Sequence, residues 1–106
     1  MVKGFAYLLL ESNYQDVIHS ILQVHAWATE CLTINTSLVK SLKKIEKNSI
    51  LITDYTLLAK YYNKLKVSKI ICLVPRKIKI KHNLKNTIFY ELPIIPKEFI
   101  ALLTKN

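Results

Sequence analysis

The sequence predicts an α/β fold in which helices cover both faces of a five-stranded parallel sheet. Two observations support this prediction. Short apolar runs recur along the chain, and segments with apolar residues at helical spacing separate them. Strands that are apolar throughout are typical of parallel sheets, because such sheets are buried on both faces. The length of 106 residues allows one such domain, which we expect to span residues 1–106.

The first half of the chain contains two strand-helix units. Residues 5–10, FAYLLL, are an unbroken apolar run that predicts a strand, and polar residues end it. Residues 14 to about 26 have apolar side chains at helical spacing and predict a helix, with Trp27 at its end, packing the helix onto the sheet. Residues 31–34 predict the second strand. A helix from 38 to about 47 follows a group of helix-capping residues.

The second half continues the alternation. Residues 49–53 predict the third strand, and apolar side chains at helical spacing over 57–65 predict the next helix. Residues 69–74 and 87–90 predict the last two strands. The final helix is expected to begin near Pro96, because proline is favoured in the first turn of a helix.

One segment interrupts the alternation. Residues 76–86, RKIKIKHNLKN, contain alternating lysines and have no clean helical face. These 11 residues are fewer than the dozen or more that a crossover between parallel strands usually needs. A shortened or missing fourth helix is therefore expected.

Right-handed crossovers between these units give a flavodoxin-like sheet with the strand order 2-1-3-4-5. All strands of such a sheet end at the same edge. Glu11, Asp54 and Pro75 follow three different strands. They are therefore expected to converge at this edge.

The charge of the chain is asymmetric. The net charge is +9, with 15 lysines and one arginine; residues 1–53 carry 5 basic and 4 acidic groups, and residues 54–106 carry 11 and 3. A field of one sign favours an acidic partner. The candidate basic surface consists of Lys77, Lys79, Lys81 and Lys85. A solvated surface is nevertheless favoured over nucleic-acid binding, because lysine lacks the bidentate fork of arginine.

Several classes of protein are not expected. No apolar stretch reaches the roughly 18 to 20 residues of a membrane-spanning helix, and no signal-peptide cleavage site is present, so we expect a cytoplasmic protein without membrane contact. Cys31 and Cys72 are expected to be buried thiols, about 14 Å apart across three strand spacings and therefore not bridged. His19 and His25 should lie on opposite faces of their helix, which disfavours a shared metal.

Four stretches, taken in order, resemble the receiver domain of bacterial response regulators, the CheY-like family. They are YLLLESN, ILITDYT, IICLVP and IFYELP. The resemblance covers nearly the whole chain and rests on order and spacing, since no single motif is specific. It implies a signal-receiving domain in which an aspartate accepts phosphate with the help of magnesium.

The resemblance assigns positions in this chain to the functional residues of the family. Asp54 stands at the phosphoacceptor, Glu11 and Ser12 at the magnesium-binding acids, Val74 at the hydroxyl, Leu92 at the lysine and Phe89 at the switch aromatic. Phosphoryl transfer depends on cations and hydrogen-bond donors, and losing one preorganised donor can cost about 3 to 4 kcal/mol. The pocket is therefore expected to be degenerate, with no catalytic residue and no cofactor. Glu11 and Asp54 are weak candidates for a metal, and Asp54 could instead be a helix N-cap.

The expected function is that of an atypical receiver domain, not an enzyme, that acts without conventional aspartyl phosphorylation. Residues 103–106 would begin a linker to a DNA-binding output domain of a transcriptional regulator. Residues 87–90 and the last helix would form a homodimer. Two alternatives stay open. One is a receiver phosphorylated on Asp54, with Arg76 and Lys77 replacing the missing cation, and the other is a small basic nucleic-acid-binding module.

Overall fold

The computed structural model of the chain describes residues 4–34, 37–75 and 86–104. Strands and helices alternate along these residues. The elements are β1 (Gly4–Leu9), α1 (Ser12–Val24), β2 (Trp27–Cys31), α2 (Leu38–Lys43), β3 (Ile50–Asp54), α3 (Tyr55–Tyr61), β4 (Lys69–Val74), β5 (Thr87–Glu91) and α4 (Pro96–Thr104). A short 3-10 turn, Tyr62–Lys64, continues α3.

The five strands form one parallel sheet with the order β2-β1-β3-β4-β5, which confirms the predicted topology. One row of paired residues crosses all five strands, namely Cys31, Leu8, Ile52, Ile71 and Ile88. Because every neighbouring pair is parallel, the carboxyl ends of the strands share one edge of the sheet.

Two apolar cores lie on the two faces of the sheet. Successive strand residues alternate between them: Leu8 belongs to the core under α1 and α4, and Leu9 belongs to the core under α2 and α3. In the same way, Ile71 belongs to the core under α1 and α4, and Ile70 belongs to the core under α2 and α3. Phe99 of α4 is completely buried in the first core. Both faces of each central strand are therefore covered, which is why the strands are apolar throughout.

The position of β2 differs from the predicted one. β2 occupies Trp27–Cys31, whereas residues 31–34 were expected to form it. α1 ends before Ala26, which has a φ of 63° in the left-handed region and turns the chain directly into the strand. Trp27 is therefore the first residue of β2 and not the end of α1. Its ring packs against Gly4 of β1, where an added Cβ would lie 2.5 Å from Trp27 Cζ3.

The two cysteines differ in exposure. Cys72 is buried, as expected, but Cys31 is exposed, so the prediction of a buried thiol was wrong there. The reason is that Cys31 ends β2, which lies at the edge of the sheet. Two strands, β1 and β3, separate β2 from β4, so the predicted separation of the two thiols follows from the strand order.

The helix boundaries also differ from the sequence-based ones. α2 ends at Lys43, and α3 already begins at Tyr55. α4 begins at Pro96, as predicted, and continues to Thr104 with Leu103 buried, so residues 103 and 104 belong to the helix. A linker to an output domain stays a prediction. The expectation for the fourth helix falls, except for Asn86, outside the described residues. No helix within the described ranges is long and apolar enough to cross a membrane.

Candidate functional site

A cleft of about 160 Å³ lies at the carboxyl edge of the sheet. Its walls come from the ends of β1, β3 and β4 and from the start of the β5 to α4 connection. The lining residues are Glu11, Tyr14, Asp54, Tyr55, Thr56, Leu73, Pro75 and Leu92. The parallel topology thus brings Glu11, Asp54 and Pro75 into one cleft, as the sequence predicted.

Asp54 is the last residue of β3 and the N-cap of α3. Its backbone is extended, with φ −104° and ψ 170°, and Oδ1 accepts a hydrogen bond of 2.8 Å from the backbone N–H of Leu57. This bond satisfies one of the amides that the first turn of a helix leaves without a partner. The helix-capping interpretation of Asp54 is therefore confirmed. α3 starts at the next residue, so no loop separates Asp54 from the helix.

Glu11 occupies the N-cap position of α1, but its side chain makes no capping hydrogen bond. Its backbone carbonyl accepts from the N–H groups of Tyr14 and Gln15, and its side chain is exposed at the rim of the cleft. Glu11 therefore presents a carboxylate to the cleft that the helix does not use. Ser12 is the first residue of α1. Its predicted place among the magnesium ligands stays a prediction.

Of the two positions expected to lack a polar donor, Leu92 lines the cleft and Val74 does not. Leu92 is half-buried there, and its backbone N–H donates to the carbonyl of Val74 at 2.9 Å. The Val74 side chain is buried in the core under α2 and α3, and Leu73 and Pro75 form the cleft wall on either side of it. Phe89, the predicted switch aromatic, is half-buried against the same core and is not among the cleft residues.

Sequence reasoning missed Tyr14 and Tyr55. Tyr14 lies in the first turn of α1, and Tyr55 is the first residue of α3. Tyr55 directly follows the end of β3, and Tyr14 lies five residues after the end of β1. This closeness to the strand ends is the sequence feature that could have identified both residues as part of the cleft. A helix that starts directly after a strand carries its first side chains over the carboxyl edge of the sheet. The two rings make the cleft more apolar and aromatic than the sequence suggested.

The described walls of the cleft are anionic and apolar. Glu11 and Asp54 are the charged lining residues, and one Asp54 oxygen is already engaged by Leu57 N–H. Burial, together with the charge of Asp54, raises the pKa of the Cys72 thiol to about 12. The negative charge of Asp54 thus acts on a neighbouring core residue as well as on the cleft.

This set of donors fits a magnesium ion poorly. Magnesium prefers an octahedron of oxygen atoms, and the cleft offers Glu11, the remaining oxygen of Asp54 and the neutral oxygens of tyrosine and threonine. The side chains of Leu73, Pro75 and Leu92 supply no ligand. Within the described ranges, no three side chains of His, Cys, Asp or Glu are grouped so that they could hold a metal.

The cleft opens toward a wider apolar groove of about 540 Å³ between α1 and the β5 to α4 connection. The groove shares Tyr14, Pro75 and Leu92 with the cleft, and Val17 and Ile94 extend it. The Leu92–Pro93 peptide bond beside it is cis. The predicted basic surface of Lys77, Lys79, Lys81 and Lys85, together with Arg76, lies outside the described residues.

Comparisons with known proteins identify the fold. No protein-family model matches the sequence, and no curated protein matches it either. Among solved structures, the crystal structure of full-length FixJ from B. japonicum, a response regulator, matches with a TM-score of 0.67 and 11% sequence identity. The match covers 96% of this chain and 56% of FixJ. The chain therefore has a receiver-like fold and corresponds to little more than half the length of FixJ.

Proposed function

We propose that the chain is an atypical receiver domain of a bacterial response regulator, which signals through partner binding without conventional phosphorylation of Asp54. One observation carries the proposal. Asp54 caps α3 in a cleft where the family's lysine position is occupied by Leu92 and the remaining described walls are mostly apolar. The receiver-like fold supports the first half of the proposal, and the chemistry of the cleft supports the second.

The charges in the cleft oppose phosphorylation. A phosphoryl group on Asp54 would bring a charge of about −2 next to Glu11, in a cleft to which no described cation contributes. Loss of one preorganised donor costs about 3 to 4 kcal/mol, or roughly two to three powers of ten in rate. By the resemblance, Leu92 stands where the family has its lysine, and Val74, whose side chain is buried, stands where the family has its hydroxyl. Neither position supplies the polar group that the family uses. Phosphoryl transfer to Asp54 should therefore be too slow to carry a signal.

The hydrogen bond of Asp54 opposes phosphorylation as well. Oδ1 accepts from Leu57 N–H at 2.8 Å, so formation of an acyl phosphate on this oxygen would disturb the cap of α3, and only Oδ2 is left to accept the phosphoryl group. Because α3 starts at Tyr55, no intervening loop can move to accommodate the phosphate without unwinding the first turn.

The test is the intact mass of the protein after incubation with acetyl phosphate and magnesium. We expect no added phosphate on the wild-type chain, under conditions in which a typical receiver is fully modified. A stoichiometric adduct that Asp54→Asn abolishes would instead establish the alternative of a phosphorylated receiver. In that case Arg76→Gln and Lys77→Gln would show whether these residues replace the missing cation.

We also propose that the domain forms a homodimer through β5 and α4 and belongs to a transcriptional regulator with a DNA-binding output domain. β5 is an edge strand, with Thr87, Ile88 and Phe89 half-buried, and Ile95 beside α4 is 48% exposed. Exposed apolar side chains next to the last strand of a sheet favour association.

Light scattering at micromolar concentration tests this interface. The wild-type chain should have the mass of a dimer, and Ile95→Lys should reduce it to a monomer. The matched control is Val24→Lys, because Val24 is 82% exposed on α1, away from β5. A monomeric wild type, or equal effects of both variants, would count against this interface.

A further inference from the structure

The lysines of the described residues are concentrated in one stretch of chain. Residues 37–68 contain seven lysines and two acids, Glu46 and Asp54, whereas residues 4–34 contain three acids and neither lysine nor arginine. All seven side chains are exposed. They are Lys40, Lys43, Lys44, Lys47, Lys60, Lys64 and Lys66.

Five of the seven lysines lie in α2, α3 or the 3-10 turn or directly follow α2, and these elements lie on one side of the sheet. The apolar side chains of α2 and α3, such as Leu42 and Leu58, pack into the same core, so the two helices cover the same side of the sheet and their lysines point outward. α2 also lies against the 3-10 turn Tyr62–Lys64. Ser68 N–H donates to the carbonyl of Lys47 at 2.7 Å, which joins the segment after α2 to the segment after the turn. We name the surface formed by the seven lysines the lysine face.

We propose that the lysine face binds the phosphate backbone of duplex nucleic acid without reading its sequence. Lysine neutralises phosphate as a compact charge, and sequence is read chiefly by groups that reach base edges. The stretch 37–68 carries a formal charge of +5, from seven lysines less two acids. Duplex DNA carries one negative charge per about 1.7 Å of its axis. The extents of 32 × 31 × 27 Å limit any face of the domain to about one helical turn of about 34 Å.

The surroundings of the lysines favour a duplex over a membrane surface. Membrane-surface helices combine basic residues with exposed apolar side chains that insert between lipids. The large apolar side chains that are exposed in the described residues, such as Val17, Val24 and Ile95, all lie outside residues 37–68. The lysine face therefore offers charge without an apolar anchor.

The aromatic residues nearby favour a duplex over a single strand. Binding of single strands relies on aromatic rings that stack on bases. Tyr61 and Tyr62 are half-buried against the core, and the ammonium group of Lys60 lies 5.4 Å from the centre of the Tyr61 ring. Partial burial leaves these rings less available for stacking on bases than exposed rings would be, so contact with the backbone of a duplex is the interaction that the lysine face favours.

The test measures binding of the full chain to a fluorescently labelled duplex of about 20 base pairs and mixed sequence, by anisotropy between 50 and 200 mM salt. The logarithm of the binding constant should fall linearly with the logarithm of salt concentration. The variant Lys43→Gln/Lys47→Gln/Lys64→Gln should bind at least about tenfold more weakly. Its salt slope should be smaller by up to about 2.7, or about 0.9 for each lost phosphate contact.

The matched control is Lys97→Gln, because Lys97 is exposed on α4, which covers the opposite face of the sheet. It should bind as the wild type does, whereas Lys64→Gln alone should lower the slope by about 0.9. If the triple variant does not fold, as judged by circular dichroism, the single variants give the same test.

Several results would overturn the proposal. These are absence of binding at 50 mM salt, equal losses from Lys97→Gln and Lys64→Gln, and binding to vesicles of phosphatidylserine but not to the duplex. A loss on neutralising Lys77, Lys79 and Lys81, with the triple variant unchanged, would move the binding site away from the lysine face. The phosphodonor experiment is independent of all these outcomes, so this proposal and the proposed receiver function can fail separately.

Discussion

Substitution of Asp54 separates its structural role from any chemical role. Oδ1 caps α3 through a 2.8 Å hydrogen bond from Leu57 N–H, and the side chain is half-buried. Asp54→Ala removes the acceptor and leaves that amide without a partner. Asp54→Asn removes the charge but keeps an oxygen in the same place. The two variants therefore differ in the hydrogen bond, while both abolish phosphorylation.

The size of the effect follows from this geometry. Loss of an N-cap acceptor costs about 0.5 to 2 kcal/mol, and we expect about 1 kcal/mol for Asp54→Ala because the bond is short and part-buried. Asn is about as good an N-cap as Asp, so Asp54→Asn should lose only the favourable interaction of a negative charge with the helix N-terminus, about 0.5 kcal/mol or less. For a domain of this size, 1 kcal/mol corresponds to roughly 4 °C or more in Tm.

Urea unfolding of the three proteins at neutral pH, followed by circular dichroism, measures these differences. With a slope of about 1 to 2 kcal/mol per M, Asp54→Ala should lower the midpoint by about 0.5 to 1 M, and Asp54→Asn by less than half of that. Thr56→Ala is a suitable control, because Thr56 is an exposed residue in the first turn of α3. The reasoning is refuted if Asp54→Asn destabilises as much as Asp54→Ala, or if neither differs from the wild type.

Three further predictions concern the interior of the domain. Gly4→Ala should destabilise it by about 1 to 3 kcal/mol in urea unfolding, because the new Cβ would lie 2.5 Å from a ring carbon of Trp27; an unchanged midpoint would contradict that packing. Thr53 is completely buried and its Oγ1 has no hydrogen-bond partner among the described groups, so Thr53→Val should stabilise by about 1 kcal/mol, whereas Thr53→Ser should destabilise. At pH 8 a thiol reagent should modify one cysteine of the folded chain, the exposed Cys31, and both in denaturant, since burial and a pKa near 12 protect Cys72; two reactive thiols in the native state would refute this.

The sheet and its functional edge could be predicted from the sequence, because both depend on strong local signals. β3 and β4 are apolar on both faces, so their sequence runs stand out against the helices around them. Parallel strands joined by right-handed crossovers leave few possible orders. Once the order is known, the convergence of Glu11, Asp54 and Pro75 follows without knowledge of any contact. Capping by Asp54 could be inferred in the same way, from a polar residue between a strand and a helix.

The second strand could not be predicted, because its signals are weak. β2 lies at the edge of the sheet, so Thr29 and Glu30 face solvent in part and the strand has no continuous apolar run. The turn before it uses Ala26 at a positive φ, where glycine would have marked the end of the helix. The large Trp27 side chain is buried only because Gly4, its partner across the sheet, leaves room for the ring. This is a tertiary arrangement that no short window of sequence contains.

The details of the cleft depended on side-chain direction. The resemblance assigned Val74 to the hydroxyl position of the cleft. Successive strand residues point to opposite faces, however, and Val74 points into the core under α2 and α3. Leu73 and Pro75 are the residues that reach the cleft. A resemblance based on order and spacing can misplace a residue along a strand by one position. An error of one position is enough to put the side chain on the opposite face of the sheet.

An aspartate at the phosphoacceptor position does not by itself indicate phosphorylation. The capping bond of Asp54 contributes about 1 kcal/mol, a sizeable share of the stability of a small domain. The chain therefore has a structural reason to retain an acceptor at this position, whatever happens to the cations around it. A phosphoacceptor also requires cations and hydrogen-bond donors that stabilise the charge developing during phosphoryl transfer. Folding does not require these groups. The resemblance puts Leu92 at the position of the lysine, and Leu73 and Pro75 form the adjoining wall. Among the described residues, the cleft therefore keeps the acceptor that caps α3 and includes no cation that could meet the developing charge.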